Sequence, residues 1–413
     1  MLETIKKILR SLGPGLIVAA VVLGPGSITA MSAIGSILRT KVLWIALVSG
    51  TFMLTYTALA ARFGAVNEKS FLTIVTERYG RPLAVIIGVF TFLGCAGFQV
   101  GNNLGVGMAM NAMFGGPVWA WALGFTLVAI AFMFLFSSLY QALEKLMMAL
   151  VGIMIIAFFT NLVVADPDLG AVARGFIPSS IDPENIPLIA AVVATTFSVG
   201  AALFQVYLVQ EKKWGPGQLG TVLRDSAVGI GALTTIGIVL MITASTVLGS
   251  RGIAVRNAAD MAVQLEPLLG SAAKYLFCLG LWGASFSSFL GNAVVGGTVL
   301  SDGLNLGFKV GSRWPKALSA LVLLIGTAMA VASSKFSPVN SIIVAQAATV
   351  VMVPLSSFMI LWLSNRRDLM GDNRPAWWVN IIASLGVVTV CLLAVNTVIN
   401  LYGRLVGLSL IHI

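Results

Sequence analysis

Charge is what this sequence has least of. Only 10% of its 413 residues are Asp, Glu, Lys or Arg, against 58% that are hydrophobic. A soluble globular domain carries about 25% charged residues. Histidine occurs once, as His412 next to the end of the chain, and is read as a terminal residue without a role. The three cysteines, Cys95, Cys278 and Cys391, stand far apart inside apolar stretches, a spacing that excludes a disulfide framework or a cysteine-based zinc site. No nucleophile–base pair is visible, so catalysis is not expected. Neither a cofactor nor a resident metal centre is expected.

What remains is apolar sequence, with a mean hydropathy of +0.98. Eleven hydrophobic segments can be drawn, at 12–38, 41–63, 82–114, 117–138, 142–164, 186–211, 222–249, 270–300, 316–335, 339–364 and 375–402. Each is near the length of about 20 residues that carries a helix across a bilayer. Membrane strands would be shorter and would alternate. The chain is therefore expected to be an all-α integral membrane protein with eleven transmembrane helices, forming one domain over 1–413 with the lipid bilayer as its partner. The net charge of +10 is assigned to the positive-inside bias, not to nucleic acid. With the N-terminus in the cytoplasm and the C-terminus outside, 17 of the 25 Lys and Arg fall on the inner side. The first segment runs past the length of a signal-peptide core, so no cleaved leader is expected. Localisation in the cell (inner) membrane follows; oligomeric state is left open.

Two segments are interrupted. The first breaks at Gly24-Pro25-Gly26, and the sixth loses bulk at Val199-Gly200-Ala201-Ala202. They occupy corresponding places in two five-helix halves, 12–164 and 186–364, with 375–402 as an extra helix. An odd unit repeated once must insert with inverted topology. Paired interruptions of this kind are the best sequence pointer to a transporter's binding site, because non-helical backbone at membrane depth is tolerated where it lines a cavity. Pro25 has no N–H, and the flanking glycines permit positive φ. The second half of the first helix is expected to start near Gly26-Ser27.

These features resemble the Nramp family of proton-coupled divalent-metal transporters. The run GPGLIVAAVVLGPGSITAMSAIGS at 13–36 resembles the family's first helix; LAARFG at 59–64, ERYG at 77–80, MNAMFGGPVW at 110–119, Ser301-Asp302-Gly303, Gln346 and Pro354 match in order further along. The resemblance implies the LeuT-type fold, a 5+5 inverted repeat with helices 1 and 6 broken. It also exposes departures. The family's metal-binding Asp and Asn become Gly24 and Ser27. Its Met, Pro and His of the sixth helix become Ser198, Val199 and Gly200, and a second His becomes Gln205. Thr195 falls where the family offers a backbone carbonyl. The proton-path Asp and Glu of the third helix become Gln99 and Asn102.

Every charged or soft ligand is thus replaced by something small or neutral. A dehydrated divalent ion at membrane depth needs donors strong enough to offset several kcal/mol of desolvation, and a thioether is what favours transition metals over Mg²⁺. All fifteen acids lie in loops or near segment ends. Glu144, Asp225 and Asp302 come nearest the membrane and are expected to be solvated or salt-bridged helix ends. Proton relays are built from intramembrane carboxylates or histidines, so proton coupling by the family's route is not expected.

A bare helix N-terminus at Gly26-Ser27 suits an anionic group. The first functional reading is therefore an alternating-access secondary transporter of a small zwitterionic or carboxylate-bearing solute. The alternative is a divalent-cation transporter (Mn, Fe or Mg) that uses hydrated ions or a rearranged site. A non-transporting sensor or scaffold ranks third, because no signalling domain is expected in the short flanking stretches. The substrate site is expected to comprise Gly24, Gly26, Ser27, Thr195, Ser198, Gly200, Gln205 and Gln346. Asn103, Tyr207 and Asn292 are further polar groups able to line it. Ser285, Ser287 and Ser288 are placed either in a Na⁺ site with first-helix carbonyls or at a packing face.

Overall fold

Proline sets the starts of many helices. In the computed structural model, which describes residues 13–136, 138–180, 182–252, 270–332 and 353–405, a proline occupies the first or second helical position of α1 (Pro14–Val22), α2 (Pro25–Leu38), α5 (Arg81–Phe114), α8 (Ile186–Thr196) and α13 (Pro354–Ser364). There its missing N–H removes no helical bond and its fixed φ suits the first turn. The other main elements are α3 (Leu43–Val66), α4 (Phe71–Tyr79), α6 (Val118–Leu135), α7 (Leu139–Ala165), α9 (Val199–Glu211), α10 (Leu219–Val247), α11 (Ser271–Gly303), α12 (Arg313–Ala332) and α14 (Trp377–Leu405). No strand occurs among the described residues. Nine helical stretches there are long and apolar enough to cross a membrane, the first of them running over α2 and α3 together. Ten of the eleven segments expected from the sequence are met by helix; of the tenth only 353–364 is among the described residues, and Gln346 lies outside them.

Both expected interruptions are present, with differences of detail. Between α1 and α2 only Leu23 and Gly24 leave the helix. Gly24 has φ −115° and ψ −178°, an extended backbone open to any residue, so positive φ is not why glycine stands there. Space is the reason: a Cβ on Gly24 would lie 2.7 Å from Ser288 Oγ and 3.2 Å from Asn102 Oδ1. The second half of the helix begins at Pro25, one residue earlier than expected. Between α8 and α9 the break falls at Phe197 and Ser198, both with ordinary negative φ (−89° and −91°). That is ahead of the Val199–Ala202 run, which lies inside α9.

The core is built around α11, every residue of which is buried from Gly283 to Gly303. α1 lies against α10 at backbone distance, because a Cβ on Gly15 would enter the Asp225 carbonyl and one on Gly229 would enter that of Gly15; small residues permit such approach in membrane bundles. Large apolar side chains are left exposed on α6 and α14, among them Leu135, Trp377, Leu392 and Ile399, as lipid-facing surfaces require.

Outside the spans, Arg78 at the end of α4 pairs with Asp368 before α14. The hydrogen bond from the Arg78 guanidinium holds the exposed Asp368 carboxyl below its usual range. A depressed carboxylate stabilises the fold above its unfolded pKa, and that contribution is lost as pH falls through the folded value. Asp368→Asn is therefore expected to lower the thermal midpoint slightly at neutral pH, with the difference fading as pH falls below the ordinary aspartate range. A midpoint-versus-pH series of the two proteins checks it.

Candidate functional site

The two breaks face each other across a cavity of about 280 Å³. It is lined by Val21, Val22, Gly24, Gly26 and Ser27 from the first break, Thr195 and Ser198 from the second, Phe98 and Asn102 from α5, and Ser288 and Asn292 from α11. Four helix ends converge there. The last carbonyls of α1 and α8 give negative poles, and the first N–H groups of α2 and α9 positive ones.

One hydroxyl joins the two breaks. Ser27 Oγ is 2.9 Å from Val22 O and 3.1 Å from Thr195 O, so a single proton is shared between carbonyls ending two different half-helices. On the opposite wall, Ser288 Oγ donates to Val21 O at 2.7 Å. Asn292 Nδ2 donates to Ser288 O, Ser288 Oγ and Val21 O at 2.9, 3.0 and 3.3 Å. Its amide hydrogens are thus turned onto the protein, leaving its oxygen for the cavity it lines.

The orientation of Asn102 is fixed from further away. Phe289 O, on α11, can only accept. Gln99 Nε2 donates to it at 2.7 Å, which turns Gln99 Oε1 toward Asn102. Asn102 Nδ2 then donates to that oxygen at 2.9 Å, and Asn102 Oδ1 is directed at the space beside Gly24. A backbone acceptor, through two amides in series, decides which end of Asn102 the cavity meets. Behind them, Asn103 Nδ2 donates to Gln99 O, and Asn103 Oδ1 receives Thr126 Oγ1 and Thr327 Oγ1 at 3.3 and 3.2 Å. The network runs from the cavity to α6 and α12 without a titratable member.

The cavity therefore presents amide, hydroxyl and carbonyl oxygens and no formal charge. Among the described residues no group of three or more His, Cys, Asp or Glu is placed to hold a metal ion, and no Met lines the cavity. Such a wall suits a hard cation that keeps part of its water. A soft-ligand site for transition metals has no counterpart here.

The expected residues are distributed unevenly. Gly24, Gly26, Ser27, Thr195, Ser198, Asn102 and Ser288 line the cavity; Gln99 stands one hydrogen bond behind it. Gly200 lines an adjoining, mostly apolar cavity of about 650 Å³ that shares Phe98, Ser198 and Asn292 with the first. Gln205 is fully buried two helical turns beyond the break, donating to Ser226 Oγ of α10 at 3.3 Å. The three serines of α11 are not gathered. Ser287 donates to Ala20 O, Ser288 donates to Val21 O, and Ser285 Oγ is buried without a partner. Phe98 was missed, having no polar atom to mark it. Asn292 was only one of several polar candidates, and its spacing of i+4 from Ser288 is the signal that sets it apart.

The acids also depart from expectation. Glu144 pairs with Lys212 as foreseen. Asp225 and Asp302 are buried, 1% and 4% exposed, and are held by hydrogen bonds instead of by water. The bundle is closed over both by neighbouring helix starts that segment boundaries do not reveal.

Comparison with known proteins agrees with this architecture. Residues 15–400 match the family profile described as Nramp, natural resistance-associated macrophage protein-like. A relative from Deinococcus radiodurans, named divalent metal cation transporter MntH, is 26% identical over 89% of this chain and 84% of its own. One of the same name from Agrobacterium fabrum is 22% identical over 97% and 89%. Among solved structures, a manganese transporter of Eremococcus coleocola superposes with a TM-score of 0.82 at 18% identity, covering 96% of this chain and 88% of that one. Mhp1, a nucleobase-cation-symport-1 family transporter, gives 0.57 at 14% identity over 95% and 93%. The fold is the LeuT type.

Proposed function

The chain belongs to the Nramp family, and on that footing we propose that it is an alternating-access secondary transporter of a hard divalent cation, carried with part of its hydration shell. The observation that carries this reading is the fixed polarity of the cavity. Asn102 and Asn292 both turn their hydrogens onto the protein, so their oxygens meet the cargo. Oxygen-lined walls favour a positive guest. Relatives named as divalent metal cation transporters support the same sign of charge. Departure from those relatives lies in ligand strength. Without a carboxylate or thioether, affinity is weak, because ligand charge count sets the strength of oxygen sites. The Gln99–Asn102 network contains no group that titrates, so the cation passes it without a coupled proton.

The repeats 12–164 and 186–364 then serve as the two halves that move about the site, with the Lys and Arg bias placing the N-terminus in the cytoplasm and the chain in the cell membrane. The second reading, a small carboxylate-bearing solute, is supported by the start of α2, where the first N–H groups after Pro25 head the half-helix beside the cavity.

Calorimetry and uptake into proteoliposomes decide between them. Purified protein is expected to bind and carry Mg²⁺ or Ca²⁺ weakly, with Mn²⁺ preferred by less than about tenfold. Uptake at a fixed membrane potential should not depend on the pH gradient. Heats given only by amino or organic acids would reverse the assignment, and so would tight, selective Mn²⁺ binding.

A further inference from the structure

We infer that Asp225 and Asp302 are the two latches of an inner gate, holding the half-helices α1 and α9 shut on the face that the Lys and Arg bias assigns to the cytoplasm. Asp225 on α10 grips the start of α1 with both oxygens: Oδ1 accepts Gly13 N at 2.8 Å and Oδ2 accepts Gly15 N at 2.6 Å. Backbone N–H groups at a helix start have no helical acceptor, so the carboxylate completes this one and adds the attraction of its charge for the positive helix end. The Glu144–Lys212 pair closes over the same point, since a side chain on Gly13 would enter both partners.

Asp302, at the end of α11, performs the matching task for α9. Its Oδ2 accepts Tyr207 OH at 2.7 Å and Leu72 N at 3.2 Å. Its Oδ1 accepts Ser70 Oγ at 2.7 Å and Thr73 Oγ1 at 3.3 Å. One carboxylate thereby fastens α9, through Tyr207, to α11 and to the start of α4. The latched pieces are the ones able to swing. α1 and α9 are each joined to the outer half of their own helix by only two non-helical residues, and alternating access moves one bundle against another about a central site. In this structure both are sealed: all nine residues of α1 and every residue of α9 from Ala201 to Val209 are buried. For the cavity to reach that face, these charge-assisted hydrogen bonds must break together. Asp225 and Asp302 act as positioning residues, since neither lines the cavity.

The inference rests on the family's transport cycle and not on the nature of the cargo, and its test uses none. A reporter Val22→Cys is placed in full-length protein whose Cys95, Cys278 and Cys391 are replaced by alanine. Its modification by a membrane-impermeant thiosulfonate is timed from each face of sided vesicles. Asp225→Ala and Asp302→Ala are each expected to speed labelling from the cytoplasmic face by about tenfold or more, and Tyr207→Phe by about threefold, the effects of losing charge-assisted hydrogen bonds. Tyr207→Phe removes one hydroxyl from a buried ring and decides the matter alone if the aspartate variants do not fold. Rates within twofold of the parent in Tyr207→Phe and in the folded aspartate variants would overturn the inference. Equal acceleration from both faces would do the same, because it reports general loosening.

Discussion

Gly24→Asp combined with Ser288→Gly is expected to bind Mn²⁺ about a hundredfold more tightly than the native protein, while Gly24→Asp alone gains little. The backbone at Gly24 is extended and accepts any side chain. What blocks a carboxylate there is Ser288, whose Oγ and Cβ lie 2.7 and 3.1 Å from where a Cβ would stand. Removing that side chain clears both atoms and leaves Val21 O without its closest donor. A unit charge at about 4 Å in an effective dielectric of about 20 is worth about 4 kcal/mol against another unit charge, more against a divalent ion. Several kcal/mol of carboxylate desolvation oppose it. A net gain of about 3 kcal/mol corresponds to the hundredfold. Isothermal calorimetry on the two variants measures it, with thermal unfolding as a control for the added helix glycine. Equal affinity in the single and double variants would mean that Ser288 does not occlude the site.

A residue that never touches the cavity is expected to control its affinity. Gln99→Leu should weaken Mg²⁺ or Ca²⁺ binding by about tenfold, because Asn102 loses the acceptor that holds its hydrogens inward and can turn them toward the cargo. An oxygen-to-cation contact of this kind is worth about 1.5–3 kcal/mol. Gln99→Glu should behave differently. Protonated, the new side chain can still donate to Phe289 O and accept from Asn102, so binding stays near native at low pH. Once ionised, it places a charge behind Asn102, and uptake acquires a pH dependence from this side chain. Uptake rates between about pH 5 and 8 separate the cases. Unchanged affinity in Gln99→Leu would show that the amide order has no bearing on the cargo.

These outcomes mark where reading the chain works. The described apolar helices and the first break were legible because lipid-exposed backbone must be helical and Gly24-Pro25 interrupts an apolar run. Absence of charge in the site was also legible, since residue identity alone decides it. The second break was placed too late because Phe197 and Ser198 turn the chain with ordinary negative φ, needing no glycine or proline. The order of the amides was out of reach: it depends on Phe289 O, 190 residues from Gln99. Gln205 lies off the cavity wall because it stands two helical turns past Ser198, at the depth of Ser226, and a segment's bounds do not give the depth at which the break falls. Asp225 and Asp302 looked solvated because a position near the end of a segment says nothing about which other segment covers it.

α11 poses a problem of manufacture. It is the least hydropathic of the candidate spans and also the most enclosed, so Ser288 and Asn292, which furnish one wall of the cavity, are carried by the helix least able to enter lipid unaided. Insertion machinery judges a nascent helix largely by its own partition free energy. Its own hydropathy favours entry least, so its insertion is expected to depend on earlier helices that shelter its serines and asparagine. Substitutions that make α11 greasier should accordingly improve yield from the ribosome while eroding transport, and expression level becomes a poor proxy for function in this protein.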